Sequence, residues 1–291
     1  MTEPLIAIGI GAQKAATSWL HSALAHHPDC AMTRVKGLHY FNKFEPGRAE
    51  RDRFLVARKR TSIARARSNG ASMIAGVPLD DFAAEVEAWA ALTEHTTIDT
   101  AAYLALLHLN RPPAKVVGEV TPAYATLPRD GLRTLYEMSD RVRLIFVMRD
   151  PIDRFWSAAR MRGRKQSPGS EVDHAISVVT SALNGEMPAY DLRADYAMTL
   201  DNLSHIAPAA HVHLDFYEDL FDSGLDRLCG FLGIAPHAAT APAPVNAGHA
   251  ADLPRDLGRA LYQRLARQYD AVAEHMGRMP AAWQNAMEVY G

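Results

Sequence analysis

Residues 5–24 read LIAIGIGAQKAATSWLHSAL. The chemistry in this stretch belongs to Lys14 and to the hydroxyl pair Thr17 and Ser18, which close a loop of small residues. Backbone N–H groups of such a loop, the positive end of a following helix and one lysine together make a cradle for a phosphate-type anion. The triphosphate-binding pattern needs glycine directly before the lysine and Ser or Thr directly after it. Here Gln13 precedes Lys14 and Ala15 follows it, so the hydroxyl that would ligate magnesium is missing from its usual place. The spacing points to a phosphate site that does not rely on Mg²⁺. A plain strand-to-helix turn with one exposed lysine is the other reading of this stretch taken alone.

A second cluster is Arg149-Asp150-Pro151-Ile152-Asp153-Arg154-Phe155-Trp156-Ser157. An arginine and a hydroxyl hold a phosphate by charge-assisted hydrogen bonds. Pairing of Arg149 and Arg154 with Asp150 and Asp153 on a helix surface is equally open. His211 and His213 flank one strand position, but no third ligand follows at a sensible spacing, so no metal site is expected. Trp89, Trp156 and Trp283 read as packing residues. The run 160–165, with Arg160, Arg162, Arg164 and Lys165, is either an anion-binding segment or a solvated loop.

The elements that position these groups alternate. An apolar run over 5–8 suits a buried parallel strand, and 143–148 is the clearest strand of the chain. Residues 115–120 and 211–216 read as further strands. Helical spacing covers 82–92, 101–109, 132–138, 152–161, 172–183, 192–206, 221–232 and 255–276. The Arg-rich stretch 46–69 reads as a surface helix or helix pair with a solvated basic face. Residues 163–170, with Gly and Pro, read as a mobile loop, and 235–254 shows no periodicity. Strands alternating with helices predict an α/β fold with a central parallel sheet flanked by helices. In such folds ligands bind outside the carboxyl ends of strands, where both Lys14 and Arg149 would lie. No domain boundary stands out, so residues 1–291 are read as one domain.

Composition is that of an ordinary globular protein: 48% hydrophobic, 22% charged, with a formal net charge of −2 over 291 residues. That balance gives no bulk attraction to nucleic acid or membrane, and neither is expected as a partner. Two distant cysteines, Cys30 and Cys229, form neither a disulfide framework nor a metal-ligand spacing. With no basic leader and no segment of membrane-spanning length, a cytoplasmic protein is expected.

Five stretches in order carry a resemblance to one family. The Lys14 loop is similar to the 5′-phosphosulfate loop of sulfotransferases that use 3′-phosphoadenosine 5′-phosphosulfate. The segment Arg149 to Ser157 matches every specified position of their 3′-phosphate motif, Arg-x-Pro-x-Asp-Arg-x-x-Ser. Lys36-Gly37-Leu38-His39-Tyr40-Phe41 resembles the family's Lys-Glu-x-His-Phe-Phe. Gly118-Glu119-Val120-Thr121-Pro122-Ala123-Tyr124 resembles its Gly-Glu-Lys-Thr-Pro-x-Tyr. Tyr217-Glu218-Asp219-Leu220, followed by Phe231-Leu232-Gly233-Ile234, resembles its tail. The likeness is closest to the heparan-sulfate-sulfotransferase branch and its bacterial relatives, and implies a phosphate-loop-like three-layer fold.

Carried over position by position, the resemblance implies that Lys14 contacts the phosphosulfate. Ala15, Ala16, Thr17 and Ser18 would hold the 5′-phosphate, and Arg149 and Ser157 the 3′-phosphate. Trp19 would lie near the adenine. The acceptor, a small molecule or glycan, would be shaped by helical insertions at about 46–110 and 163–206. One departure stands out: the family's catalytic glutamate falls at Gly37. Losing a general base costs about 10²–10⁴-fold. His39 is the expected stand-in, Glu119 a second possibility, and a donor-binding protein with weak or no catalysis a third. A nucleotide-dependent kinase is the remaining alternative. Ala16 and Ser18 also depart from the family's Gly and Thr.

Overall fold

A computed structural model describes residues 3–74, 76–166, 169–237 and 252–291, with no account of the Lys165 side chain. The chain opens with strand β1 (Leu5–Gly11), helix α1 (Thr17–Ala25) and the short strand β2 (Cys30–Met32). Helix α2 (Arg48–Ser68) follows. A two-residue hairpin, β3 (Met73–Ile74) and β4 (Val77–Pro78), then leads to α3 (Leu79–Glu94) and α4 (Thr100–His108). The middle of the chain runs β5 (Val116–Val120), α5 (Arg129–Tyr136), β6 (Val142–Met148), α6 (Pro151–Gln166) and α7 (Glu171–Leu183). Helices α8 (Pro188–Leu192) and α9 (Tyr196–Ile206) precede β7 (Val212–Phe216). A π-helical turn, Leu220–Gly224, enters α10 (Leu225–Leu232), and α11 (Arg255–Met276) and α12 (Ala281–Tyr290) close the chain.

Five parallel strands form one sheet in the order β2-β5-β1-β6-β7. This is the α/β class with a central parallel sheet flanked by helices. β1 and β6 are apolar on both faces because helices cover both; Ile6, Ile8, Ile10, Leu144, Ile145, Phe146 and Val147 are buried. Close pairing of β1 with β5 requires Gly118, where an added Cβ would fall 1.9 Å from the Ala7 carbonyl oxygen. From β1 the chain moves outward to β2; from β5 it crosses over β1 to β6. The crevice at that reversal lies above the carboxyl ends of β1 and β6, where an α/β sheet takes ligands.

Several boundaries differ from the sequence expectation. The basic stretch is one helix, α2, whose buried Arg48, Asp52, Val56 and Ile63 make a seam under a solvated basic face. The loop expected over 163–170 is helical through Gln166. Gly163 permits this, because a Cβ there would lie 2.4 Å from the Glu171 carbonyl of α7. Residues 192–206 are not one helix: the chain breaks after Leu192, and Asp195 caps α9 by accepting from the Met198 N–H at 3.0 Å. Of the aperiodic stretch 235–254, residues 238–251 lie outside the described residues. β2, the β3–β4 hairpin and α12 had no counterpart in the sequence reading. α12 is anchored by fully buried Trp283, whose ring meets Phe216 at 5.2 Å and Tyr269 at 5.8 Å.

Candidate functional site

The loop after β1 turns through two left-handed residues, Lys14 (φ 75°) and Ala16 (φ 52°). The Ala15 N–H donates back to the Ala12 carbonyl at 3.2 Å, and left-handed residues of this kind are those from which anion-binding nests are built. Ala16 precedes α1 and no side chain caps that helix. Its first N–H groups therefore lack intrahelical partners and face the same side. Thr17 is buried and Ser18 exposed. Lys14 Nζ lies 3.8 Å from the Met161 sulfur on α6, which sets the lysine between the loop and that helix.

At the end of β6, Arg149 leans across to the same loop: its Nη1 donates to the Lys14 carbonyl oxygen at 3.3 Å. Nη2 reaches Asp153 at 3.5 Å, and Nε is buried without a hydrogen-bond partner. The backbone beneath is pinned. Tyr196 Oη donates to the Arg149 carbonyl at 2.8 Å, and the Asp150 N–H donates to Glu218 at 3.2 Å. The Asp150 carboxylate accepts from the Asp153 N–H at 2.9 Å and from Tyr269 Oη at 2.8 Å. Burial pushes the Asp150 carboxyl up to about 7. Ser157 is half-buried on α6. Of the alternative pairings, Arg149 with Asp153 forms; Arg154 is fully buried, bonds the Tyr190 carbonyl at 3.4 Å and, among the described residues, pairs with neither Asp150 nor Asp153.

An aromatic row joins the two anchors. Trp19 meets Phe221 edge-on at 4.9 Å, Phe221 meets Tyr217 at 5.4 Å, and the Arg149 guanidinium lies 4.7 Å over the Tyr217 ring. Arginine and the aromatic faces are mutually attractive there.

The third wall comes from residues 36–42, held against the end of β5. Glu119 is fully buried and its carboxylate accepts from Tyr103 Oη at 2.7 Å, Thr121 Oγ1 at 2.6 Å and the Leu38 N–H at 3.3 Å. With both oxygens engaged it is a brace for this segment, which removes it as a proton acceptor for a ligand. Gly37 is left-handed (φ 73°), and an added Cβ would meet the His39 ring at 3.7 Å, an ordinary contact. The His39 imidazole Nδ1 is buried without a partner. Burial, then the charges of Arg48, Arg51 and Arg193, push His39 down to about 3, so its ring is neutral at physiological pH.

Lys36 was not singled out as a site residue, yet its ammonium donates to Ser18 Oγ in the loop. Crowding by protein atoms, then the Lys14 charge, lower Lys36 to about 8. Its place directly before Gly37 was the available signal.

His211 meets Tyr136 Oη at 2.7 Å, and His213 lies 3.6 Å from Asp215 with its Nε2 buried and without a hydrogen bond. At the opposite, amino-terminal end of the sheet, a pocket of about 960 Å³ is bordered by Leu5, Lys115 and Arg141. Its Lys115 pairs with Asp29, and its Arg141 bonds the Glu3 carbonyl.

Sheet order, uncapped α1 and a lysine–arginine pair across the β1–β6 crevice define an α/β protein of the phosphate-loop type. The chain belongs to the sulfotransferase family, whose model matches residues 4–238. Among solved structures it is similar to a sulfotransferase from Alicyclobacillus acidocaldarius, at 17% identity and TM-score 0.63, over 98% of this chain and 100% of that one. The sulfotransferase domain of the Synechococcus PCC 7002 olefin synthase aligns at 17% identity and TM-score 0.48, over 100% of this chain and 94% of that one. The sulfotransferase domain from the curacin biosynthetic pathway aligns at 15% identity and TM-score 0.49, over 87% and 80%. At 17% identity the likeness to the Alicyclobacillus structure is one of fold. A comparison with curated proteins gives no match.

Proposed function

We propose that this sulfotransferase moves a sulfuryl group from 3′-phosphoadenosine 5′-phosphosulfate to an acceptor hydroxyl or amine. One contact carries the reading: the Arg149 guanidinium reaches the Lys14 carbonyl across the crevice, so residues from two separate motifs front the same crevice. The cradle also suits a doubly phosphorylated adenosine chemically, with an uncapped helix start, a left-handed nest and a buried, unpaired Arg149 Nε. The donor supplies an activated sulfur whose bridging oxygen bond breaks toward the 5′-phosphate.

Lys14, assisted by Lys36, stabilises charge building on that bridging oxygen, which lowers the barrier more than ground-state binding would. The N–H groups of Ala16, Thr17 and Ser18, with the Ser18 hydroxyl, hold the 5′-phosphate, while the Ala15 N–H donates to the Ala12 carbonyl at 3.2 Å and shapes the loop. Arg149 and Ser157 hold the 3′-phosphate, and Trp19 with its aromatic row borders the base. The acceptor atom attacks sulfur in line as the bridging bond breaks, and its proton passes to neutral His39 or to water. The helical stretches at about 46–110 and 163–206 act as lids over the acceptor. With Ala15 where a magnesium-ligating hydroxyl would stand, the transfer proceeds without Mg²⁺.

Calorimetry with the desulfated product, 3′-phosphoadenosine 5′-phosphate, tests the donor site. Micromolar binding that is lost in Lys14→Ala supports it; no binding overturns it. Gly37 favours one second reading, donor binding without transfer. Assay of Gly37→Glu with 4-nitrophenol separates the two: a gain of about 10²-fold or more assigns the wild-type chain to binding alone. An active wild type with little gain assigns it to transfer.

A further inference from the structure

Two adjacent buried residues of α11, Gln268 and Tyr269, reach the turn that carries Arg149 by two routes. Tyr269 Oη donates to the Asp150 carboxylate at 2.8 Å. That carboxylate caps α6, its other oxygen accepting from the Asp153 N–H at 2.9 Å. Gln268 Oε1 accepts from the Ala197 N–H at 2.9 Å, in the first turn of α9. The residue before Ala197 is Tyr196, whose Oη donates to the Arg149 carbonyl at 2.8 Å and accepts from the Arg149 N–H at 3.4 Å. Successive side chains on a helix diverge by about 100°, so one turn of α11 serves both targets. Trp283 of α12 closes the arrangement: its ring stacks on Tyr196 at 6.3 Å and meets Tyr269 edge-on at 5.8 Å. The Arg149 side chain has less to hold it. Besides the Tyr217 ring at 4.7 Å, its polar contacts are long, 3.3 Å to the Lys14 carbonyl and 3.5 Å to Asp153, and its Nε has none. Its direction is therefore set largely by the backbone beneath it, and α9 and α11 grip that backbone on both sides of the Arg149–Asp150 peptide.

Resting on the sulfuryl-transfer reading above, we propose that Gln268 and Tyr269 are positioning residues for the donor's 3′-phosphate. Neither touches the nucleotide. Tyr269 fixes Asp150 and with it the start of α6, the helix of Ser157. Gln268 fixes the start of α9 and with it Tyr196, beneath Arg149. Both residues lie outside residues 4–238, the part of the chain that matches the family model, so the donor site draws on helices beyond that segment. An arginine and a serine already aimed at one point lose less freedom when a phosphate arrives, and that saving appears as affinity for the group they hold. The 5′-phosphate end is built on the loop after β1, on the other side of the crevice, so the effect is confined to one phosphate.

The test is calorimetry on the full chain with 3′-phosphoadenosine 5′-phosphate and with adenosine 5′-phosphate. Two variants are compared with the wild type: Tyr269→Phe, which removes only the hydroxyl, and Gln268→Met, which removes the acceptor at nearly constant volume. The wild type is expected to bind the doubly phosphorylated nucleotide more tightly. In each variant that affinity should fall about fivefold, the size of one hydrogen bond net of water, while affinity for adenosine 5′-phosphate stays within about twofold. A role in folding alone would lower Tm and leave the preference between the two nucleotides unchanged. That result in either variant takes its residue out of the role, and in both it overturns the proposal. So does an equal loss for both nucleotides, which would mean that the whole crevice loosens. Should Tyr269→Phe fail to fold, Gln268→Met decides alone. A wild type without preference for the 3′-phosphate overturns the donor reading and this inference with it, whereas a preference that survives in both variants overturns the inference only.

Discussion

Lys36 shows how one side chain can set a pH limit. Its ammonium sits on Ser18 Oγ beside Lys14, and burial with that second charge brings it to about 8. A phosphate ligand binds only the protonated form well. In the free protein that form is complete below 8 and disappears as pH rises through 8. Affinity for 3′-phosphoadenosine 5′-phosphate is therefore expected to weaken about tenfold between pH 7 and pH 9. Calorimetry at the two pH values reads this, and Lys36→Arg, charged throughout, should flatten it. Ala16 makes a second residue-scale case. It holds the left-handed conformation that costs an L-residue about 1 kcal/mol and a glycine little. Ala16→Gly should raise Tm by about 2 °C in a chain of this size and leave the loop's N–H groups in place. A fall in Tm would mean that added freedom in the unfolded chain outweighs the relieved strain.

At the scale of elements, β7 holds the carboxyl-terminal helices through one buried carboxylate. Burial alone would raise Asp215, but the nearby His213 ring at 3.6 Å and the Arg227 guanidinium bonded to it outweigh that and hold it at about 2. Arg227 Nη2 lies 2.7 Å away, and Arg278, just past α11, reaches the same carboxylate at 3.6 Å. A depressed carboxyl stabilises the fold above its unfolded pKa near 4 and loses that contribution as pH falls through 2. Asp215→Asn should therefore unfold more easily at pH 7 by about 3 kcal/mol, with the gap to wild type closing toward pH 2 in thermal or denaturant melts. The long apolar strands β1 and β6, and the helices with clear stripes, were legible because burial on two faces or one leaves a period in the residues. β2 has three residues and β3 and β4 two each, too short to carry a period. The end of α6 was hidden by Gly163, which reads as a breaker but serves close packing against α7. The same limit applies to the site. Lys14 and Arg149 stood out because each lies where a strand ends in a recognisable loop. Lys36 becomes a neighbour of the crevice only through the fold of the segment after β2.

For the whole molecule, the proposed donor site divides a nucleotide's contacts between two structural halves. On that reading the loop after β1, with α1, would take one end, and the turn after β6, with α6, the other. Those halves meet through the Arg149–Lys14 contact and through Lys14 against Met161. A ligand that bridges them should stabilise the fold as a unit, since it binds the native state alone. At a hundredfold excess over its Kd, 3′-phosphoadenosine 5′-phosphate should add about 2.7 kcal/mol, raising Tm by about 5–10 °C. Adenosine 5′-phosphate at the same concentration keeps the Lys14 end and loses the Arg149 end, so its shift should be smaller. In Arg149→Ala that difference between the two nucleotides should shrink to near zero, because the residue that reads the extra phosphate is gone. Lys14→Ala should lower both shifts while preserving the difference. If Arg149→Ala leaves the discrimination untouched, the 3′-phosphate is held elsewhere, and the two ends of the crevice do not serve one nucleotide.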